Sequence, residues 1–201
     1  MAYPPADRIP ILLLAAGSSS RMGQSKQLLM IDHEPLLRRT ARTAIHSNVG
    51  EIVIVLGSNE QAHKAVIEDL PVHIVANPNW PKGMGTSIKL GLDYVRTQWP
   101  ECKAVIISVC DQPYLTAIHL NNLALKFINS DQPIIASFYD NTLGVPVVFD
   151  HALFNELSRI DDQEGAKKIV QRMGNSVVPI PFPFGEVDLD TKDDYDTFNK
   201  Q

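Results

Sequence analysis

Ile11-Leu12-Leu13-Leu14-Ala15-Ala16-Gly17-Ser18-Ser19-Ser20-Arg21-Met22-Gly23-Gln24-Ser25-Lys26-Gln27 joins an unbroken apolar run to a loop of small residues. The run is too short for a helix and carries no polar alternation, so it reads as a strand covered on both faces. Similar runs recur at Ile52–Leu56, Val72–Val75, Val105–Val109, Ile134–Ser137, Pro146–Phe149 and Val177–Ile180. Between them, apolar residues at three- and four-residue spacing predict helices at about 35–48, 59–69, 84–98, 115–129, 151–159, 163–173 and 191–199. Strands alternating with helices predict a three-layer, Rossmann-like α/β fold around a mostly parallel sheet. The alternation loosens after residue 138, where Phe138 to Gly144 reads as a loop or hairpin. Residues 139–187 are therefore expected to form a small appended layer on the substrate side of a single domain spanning 1–201.

The chain has 201 residues, 18 Lys and Arg against 23 Asp and Glu, and a net charge of −5. With 44% hydrophobic residues, this is the balance of one globular domain with a real core, and whole-chain disorder is excluded. No cluster of Lys and Arg exists to neutralise a polyanion, so nucleic acid is not an expected partner. The longest apolar stretch, Ile9 to Ala16, is interrupted by Pro10 and falls far short of the roughly 20 residues of a membrane span. The N-terminal residues lack the basic region and cleavage site of an export signal, and a cytoplasmic location is expected. Cys102 and Cys110 flank a predicted strand about 26 Å long, which forbids a disulfide between them. The six histidines show no metal-ligand spacing and read as solvated surface residues.

In doubly wound sheets, ligands bind beyond the carboxyl ends of the strands. After the first strand, small side chains expose backbone N–H groups that can wrap a phosphate chain, and Arg21 and Lys26 can offset its charge. The loop is no Walker A motif, because five residues separate Gly17 from Gly23 and Lys26 follows three later. It is no dinucleotide fingerprint either, since Gly17-Ser18-Ser19 lacks the second glycine. A second loop, Asn77 to Ser87, combines two prolines and two glycines, so its backbone can approach a flat base; Thr86 or Ser87 would otherwise simply cap the next helix. The strand Val105–Val109 ends in Cys110-Asp111-Gln112-Pro113, which places the Asp111 carboxylate where Mg²⁺ is commonly held. Further along, Val187 to Asp194 would point Asp188 and Asp190 to the same side if extended, while Thr191 and Asp194 have capping-box spacing.

The string Leu-Ala-Ala-Gly-x-Ser-x-Arg-Met-Gly-x-x-Lys-Gln at residues 14–27 resembles the signature of the MobA-like nucleotidyltransferases of the molybdenum-cofactor type, relatives of the sugar-nucleotide pyrophosphorylases. Residues 77–88, Asp111-Gln112-Pro113 and 188–194 are similar to the same family, so the resemblance runs from Ile11 to Tyr195. It implies that Leu14, Ala15, Ala16, Gly17, Arg21 and Lys26 bind the triphosphate, with Arg21 and Lys26 stabilising the transition state. Gly83 and Ser87, with Met84, would face the base. Asp111 would bind the nucleotide through Mg²⁺, with Asp190 as second ligand and Asp188 in reserve. The implied reaction is transfer of CMP from CTP to the terminal phosphate of molybdopterin carrying molybdenum, with release of pyrophosphate. The product would pass to a recipient molybdoenzyme or its chaperone. Ala15-Ala16 stands where the family's GTP users carry Ala-Gly, which favours CTP. Two departures fall on the acceptor side: Val145 where many members have His, and an acidic turn, Asp161 to Glu164, one residue longer than usual. A related transferase using GTP, a sugar phosphate or methylerythritol phosphate stays open, as does a nucleotide-binding protein without turnover.

Overall fold

The structure is a computed structural model that describes residues 3–4, 7–20 and 22–200, Asn175 through its backbone alone. Strand β1 (Ile11–Ala15) is followed by a two-stranded hairpin, β2 (Met30–Ile31) and β3 (Glu34–Pro35), and by α1 (Leu36–Ser47). Then come β4 (Ile52–Leu56), α2 (Glu60–Ala65), β5 (His73–Ala76), α3 (Met84–Gln98), β6 (Ala104–Val109) and α4 (Ala117–Ile128). The chain ends with β7 (Ile134–Tyr139), β8 (Thr142–Asp150), α5 (Phe154–Leu157), α6 (Ala166–Met173), β9 (Val177–Pro181) and α7 (Lys192–Phe198).

Seven strands form one sheet in the order β5-β4-β1-β6-β8-β7-β9. The β1–β4, β4–β5, β1–β6 and β7–β9 pairs are parallel, and β8 runs antiparallel to both β6 and β7. The chain therefore winds outward from β1 through β4 to β5, then returns to lay β6 on the other flank of β1. That reversal opens a crevice at the carboxyl ends of β1 and β6, where such sheets bind ligands. The glycine loop leaves β1 at this point, and Asp111 follows β6 at the same point.

Every residue of β1 is buried, and alternate side chains serve opposite faces. Ile11, Leu13 and Ala15 pack with residues of α1 and α4, whereas Leu12 and Leu14 pack with residues of α3, α5 and α6. This arrangement produces the predicted three layers. Residues 139–187 depart from the expected separate layer. Tyr139 and Thr142 close a tight hairpin, and β8 and β9 then join the central sheet itself. The continuous buried run of Val147, Val148 and Phe149 drives this, because it needs cover on both faces.

The short β2–β3 hairpin was not expected, since two-residue strands leave no periodicity to read. It belongs to a third apolar cluster in which Met22, Leu29, Ile31 and Leu36 enclose Leu189, with Tyr195 and Phe198 alongside. Both cysteines are free. Among the described residues no helix is long and apolar enough to cross a membrane. The histidines correct the surface expectation at two positions: His63 and His119 are buried, each on a serine hydroxyl, Ser25 at 2.6 Å and Ser137 at 2.7 Å.

Candidate active site

One cavity of about 310 Å³ at the switch point is lined by Leu14, Ala15, Ala16, Gly17, Lys26, Gly83, Met84, Ser87 and Asp111. These are the nucleotide-side residues expected from sequence, apart from Arg21, which lies outside the described residues. A second cavity of about 530 Å³ adjoins it, lined by Tyr139, Asp140, Thr142, Val145, Gly165, Lys167, Glu186, Asp188 and Asp190 among others. Leu14, Lys26, Met84, Val109 and Asp111 line both. A larger hollow of about 590 Å³ lies at the opposite end of the sheet, around Asp7, Lys103, Pro133 and His151. It is remote from the carboxyl ends of β1 and β6 and gathers none of the candidate residues.

The glycine loop is held from inside. Gln27, 1% exposed, donates its amide hydrogens to the carbonyl oxygens of Ala15 at 3.1 Å and Gly17 at 2.8 Å. Its Oε1 accepts from the hydroxyls of Ser19 at 3.1 Å and Ser25 at 2.8 Å. Ser19, at φ 55°, accepts the Lys26 backbone N–H at 2.9 Å, so the loop folds back on itself. Around Gly17, a Cβ would meet nothing within 4 Å. The missing side chain leaves open cavity space against the backbone.

The base-side loop is held from outside. Gly83 has φ +131°, and an added Cβ would stand 2.2 Å from the Asp162 carbonyl oxygen. The Gly85 N–H donates to that oxygen at 2.9 Å, and Lys89 forms an ion pair with the Asp162 carboxylate. The longer acidic turn thus presses directly on the loop that lines the first cavity. Neither Thr86 nor Ser87 caps α3, whose N-cap is Gly83 without a side-chain bond. Both hydroxyls instead accept from Asn77 Nδ2 at 2.9 Å, which binds the start of the helix to the end of β5.

Lys26 is the centre of the charge arrangement. Its ammonium donates to Asp111 Oδ2 at 2.5 Å and Asp190 Oδ1 at 2.9 Å, with only 15% of the side chain exposed. Burial alone would pull its pKa down, but the attraction of Asp111 and the bonds to Asp111 and Asp190 hold it above its ordinary value. It therefore remains a cation at any physiological pH. The carboxylates reach this place through backbone pairing: the Leu189 N–H donates to the Asp111 carbonyl oxygen at 3.0 Å. With Leu189 fully buried, Asp188 and Asp190 are left on the cavity side, as the alternation predicted. The Thr191–Asp194 capping box also forms and fixes the start of α7. The Asp188 carboxyl is pushed up to about 7, by burial first and then by Asp111 and Asp190.

Among the described residues no three acidic, His or Cys side chains form a ready-made metal cage. The donor set nevertheless suits a hard divalent cation. It consists of carboxylate oxygens, and Asp111 Oδ1 is buried without a hydrogen-bond partner while Oδ2 is engaged by Lys26. Three residues that sequence reading passed over complete the site. Gln27 clamps the loop, and its sequence signal is its place after Lys26 as the last residue of the string at 14–27. Trp80 lines the first cavity, and its side chain touches the place where a Gly57 Cβ would stand. Gln112 donates to the Gly185 carbonyl oxygen at 2.8 Å and so ties the end of β6 to the Phe- and Pro-rich tract.

The purine catabolism protein PucB of Bacillus subtilis is 28% identical to this chain over 206 aligned positions, covering 94% of this chain and 96% of PucB. The molybdenum cofactor cytidylyltransferase of Escherichia coli is 30% identical over 91 residues, covering 45% of this chain and 47% of that enzyme. The crystal structure of Rv0371C from Mycobacterium tuberculosis in complex with manganese superposes with a TM-score of 0.80 at 23% identity, covering 96% of this chain and 99% of that one, and shares the fold. Residues 11–177 match the MobA-like NTP transferase domain, and the chain belongs to that family of nucleotidyltransferases.

Proposed function

We propose that this chain transfers CMP from CTP to the terminal phosphate of a molybdopterin-type acceptor, releasing pyrophosphate. The observation that carries this reading is the wall common to the two cavities, built around Lys26 and Asp111. A nucleoside triphosphate in the first cavity would present its α-phosphorus at that wall, and an acceptor in the second would reach it from the far side. Similarity to a molybdenum cofactor cytidylyltransferase, together with Ala15-Ala16, favours CTP and the molybdopterin acceptor.

In the proposed reaction, an acceptor phosphate oxygen forms a bond to the α-phosphorus as the bond to the bridging β-oxygen breaks, and pyrophosphate leaves. Such transfers depend on positioning and charge stabilisation. The Lys26 ammonium stands ready to meet the phosphate charge, and the backbone at Gly17 is open to it. Arg21 is proposed for the same role. A phosphate monoester has a second pKa of about 6 and is largely dianionic at neutral pH, so no side chain has to remove a proton. Asp111, Asp190 and Asp188 would hold Mg²⁺ or a similar cation, which when bound supplies charge neutralisation at the phosphates. Residues 139–187 would choose the acceptor, with Val145 and Lys167 in the second cavity. A molybdoenzyme or its chaperone would then receive the product inside the cytoplasm.

A matrix of nucleotides (CTP, GTP) against acceptors (molybdopterin with and without molybdenum, sugar phosphates, methylerythritol phosphate), read as pyrophosphate release, tests this. Release with CTP and a molybdopterin acceptor is expected. Release confined to GTP or to another acceptor would move the assignment within the family, and CTP binding without release for any acceptor would refute catalysis.

A further inference from the structure

We propose that His63 is a positioning residue for Lys26, acting from α2 through a buried hydrogen-bond chain that fixes the residues on either side of the lysine. The proposal rests on the nucleotidyl transfer argued above.

The chain of bonds has only one self-consistent arrangement of protons. Gln27 must turn its amide nitrogen toward the carbonyl oxygens of Ala15 and Gly17, so its Oε1 faces the serines. Ser25 donates its single hydroxyl hydrogen to that Oε1 at 2.8 Å. The 2.6 Å contact between Ser25 Oγ and His63 Nε2 is then a bond in which the histidine donates. His63 is consequently a neutral imidazole with its hydrogen on Nε2, consistent with burial lowering its pKa.

The other ring nitrogen shows what this costs. His63 is 0% exposed, and Nδ1 is buried with no hydrogen-bond partner. An unpaired buried nitrogen destabilises the fold, so an apolar side chain would serve better if filling space were the only task. What histidine adds is the Nε2 donor aimed at Ser25. The residue also stands on a well-located platform. β4 pairs with β1 along its whole length, and Ser58 N–H donates to the Ala16 carbonyl oxygen at 3.0 Å, so α2 starts beside the glycine loop. His63 thereby ties Ser25 to α2, Gln27 is bonded through its own side chain to Ala15 at the end of β1, and Lys26 between them has its backbone pinned. A charged group that must meet a transferring phosphoryl group gains rate from such fixation, and misplacement by about 1 Å can cost about 10²-fold.

The test compares His63→Leu, which keeps bulk but loses the donor, with His63→Gln, whose amide nitrogen can replace Nε2, and with Ser25→Ala. Pyrophosphate release with CTP and the acceptor gives kcat and KM, and thermal unfolding is measured alongside. His63→Leu is expected to lose about tenfold or more in kcat with less change in KM, at unchanged or higher thermal stability. His63→Gln is expected to recover most of the loss. Ser25→Ala should match His63→Leu, and the double variant should be no worse than either, because both break one chain. Unchanged kcat in His63→Leu and Ser25→Ala, equal losses in the Leu and Gln variants, or additive losses in the double variant would overturn the proposal. If the natural chain releases no pyrophosphate with any pair, the transfer reading falls by itself. The proposal is then judged on hydrogen exchange at the Ser25–Gln27 backbone amides, where faster exchange in His63→Leu that is reversed in His63→Gln supports it and equal exchange in all three proteins refutes it.

Discussion

Gly85→Ala sets two well-known effects against each other. Gly85 lies in the first turn of α3 with an unexceptional φ, so helix propensity alone predicts that alanine stabilises the protein by about 1 kcal/mol. Packing predicts the reverse. An added Cβ would stand 2.1 Å from the Asp161 carbonyl oxygen and 3.0 Å from its carbon, against ordinary contacts of 3.4–4 Å. Backbone on both sides leaves no flexible side chain to yield, and the acidic turn must retreat by more than 1 Å. That retreat strains the core by roughly 1–3 kcal/mol and breaks the Gly85 N–H bond to Asp162, worth about 1 kcal/mol. Set against the propensity gain, the net expectation is a loss of about 1–3 kcal/mol. For a chain of this size it corresponds to a fall in Tm of about 3–10 °C. Because Gly83, Met84 and Ser87 line the first cavity, the KM for the nucleotide should rise in the same variant. Thermal unfolding and steady-state kinetics measure both. A variant as stable as the natural chain, or more stable, would show that the turn does not press on this loop as the structure describes.

Gly17→Ala should behave oppositely: with nothing within 4 Å of the new Cβ, Tm should change by less than about 2 °C, while CTP affinity drops, and unaltered affinity would remove Gly17 from the cradle. Lys26→Ala should lower kcat/KM by about 10²-fold or more, as loss of one preorganised charge does; unaltered turnover would end its assignment to the phosphates. Burial lowers the pKa of His119 from 6.5 to about 4 while its ring stacks on Phe182. The folded state therefore refuses a proton that the unfolded chain accepts. Stability from this group is complete above about pH 6.5 and is lost as pH falls toward 4, by up to about 3 kcal/mol. His119→Leu should flatten the difference in unfolding free energy between pH 7 and pH 4.5 by about that amount, and parallel pH profiles for the two proteins would contradict the assignment.

The central sheet was readable from sequence because buried parallel strands leave nearly unbroken apolar runs, and Ile11–Ala15, Ile52–Leu56 and Ala104–Val109, broken only by Ser108, are of that kind. The loops following β1 and β6 were readable as chemistry because small residues, cations and a carboxylate after a buried strand have a physical use at that place. The C-terminal carboxylates were readable from alternation about Leu189. What stayed hidden depends on distant partners. Nothing in Asp161 and Asp162 announces that their backbone presses on Gly83 and Gly85, since close approach leaves no pattern beyond two glycines. His63 looked like a surface histidine because the serine that it serves lies 38 residues earlier. Residues 139–187 were read as an appended layer because the antiparallel return of β8 between β6 and β7 cannot be told from a local hairpin by sequence spacing, and β9 then joins the sheet edge beside β7.

The central claim about the molecule is that the two cavities meeting at Lys26 and Asp111 pass a nucleotidyl group between them. The most direct measurement follows the α-phosphate of CTP, carrying a radioactive label, in the presence of Mg²⁺ and a molybdopterin acceptor. The label is expected in the acceptor product, with one unlabelled pyrophosphate released per transfer. Bound CTP that is never consumed, or label recovered only as free CMP, would contradict it.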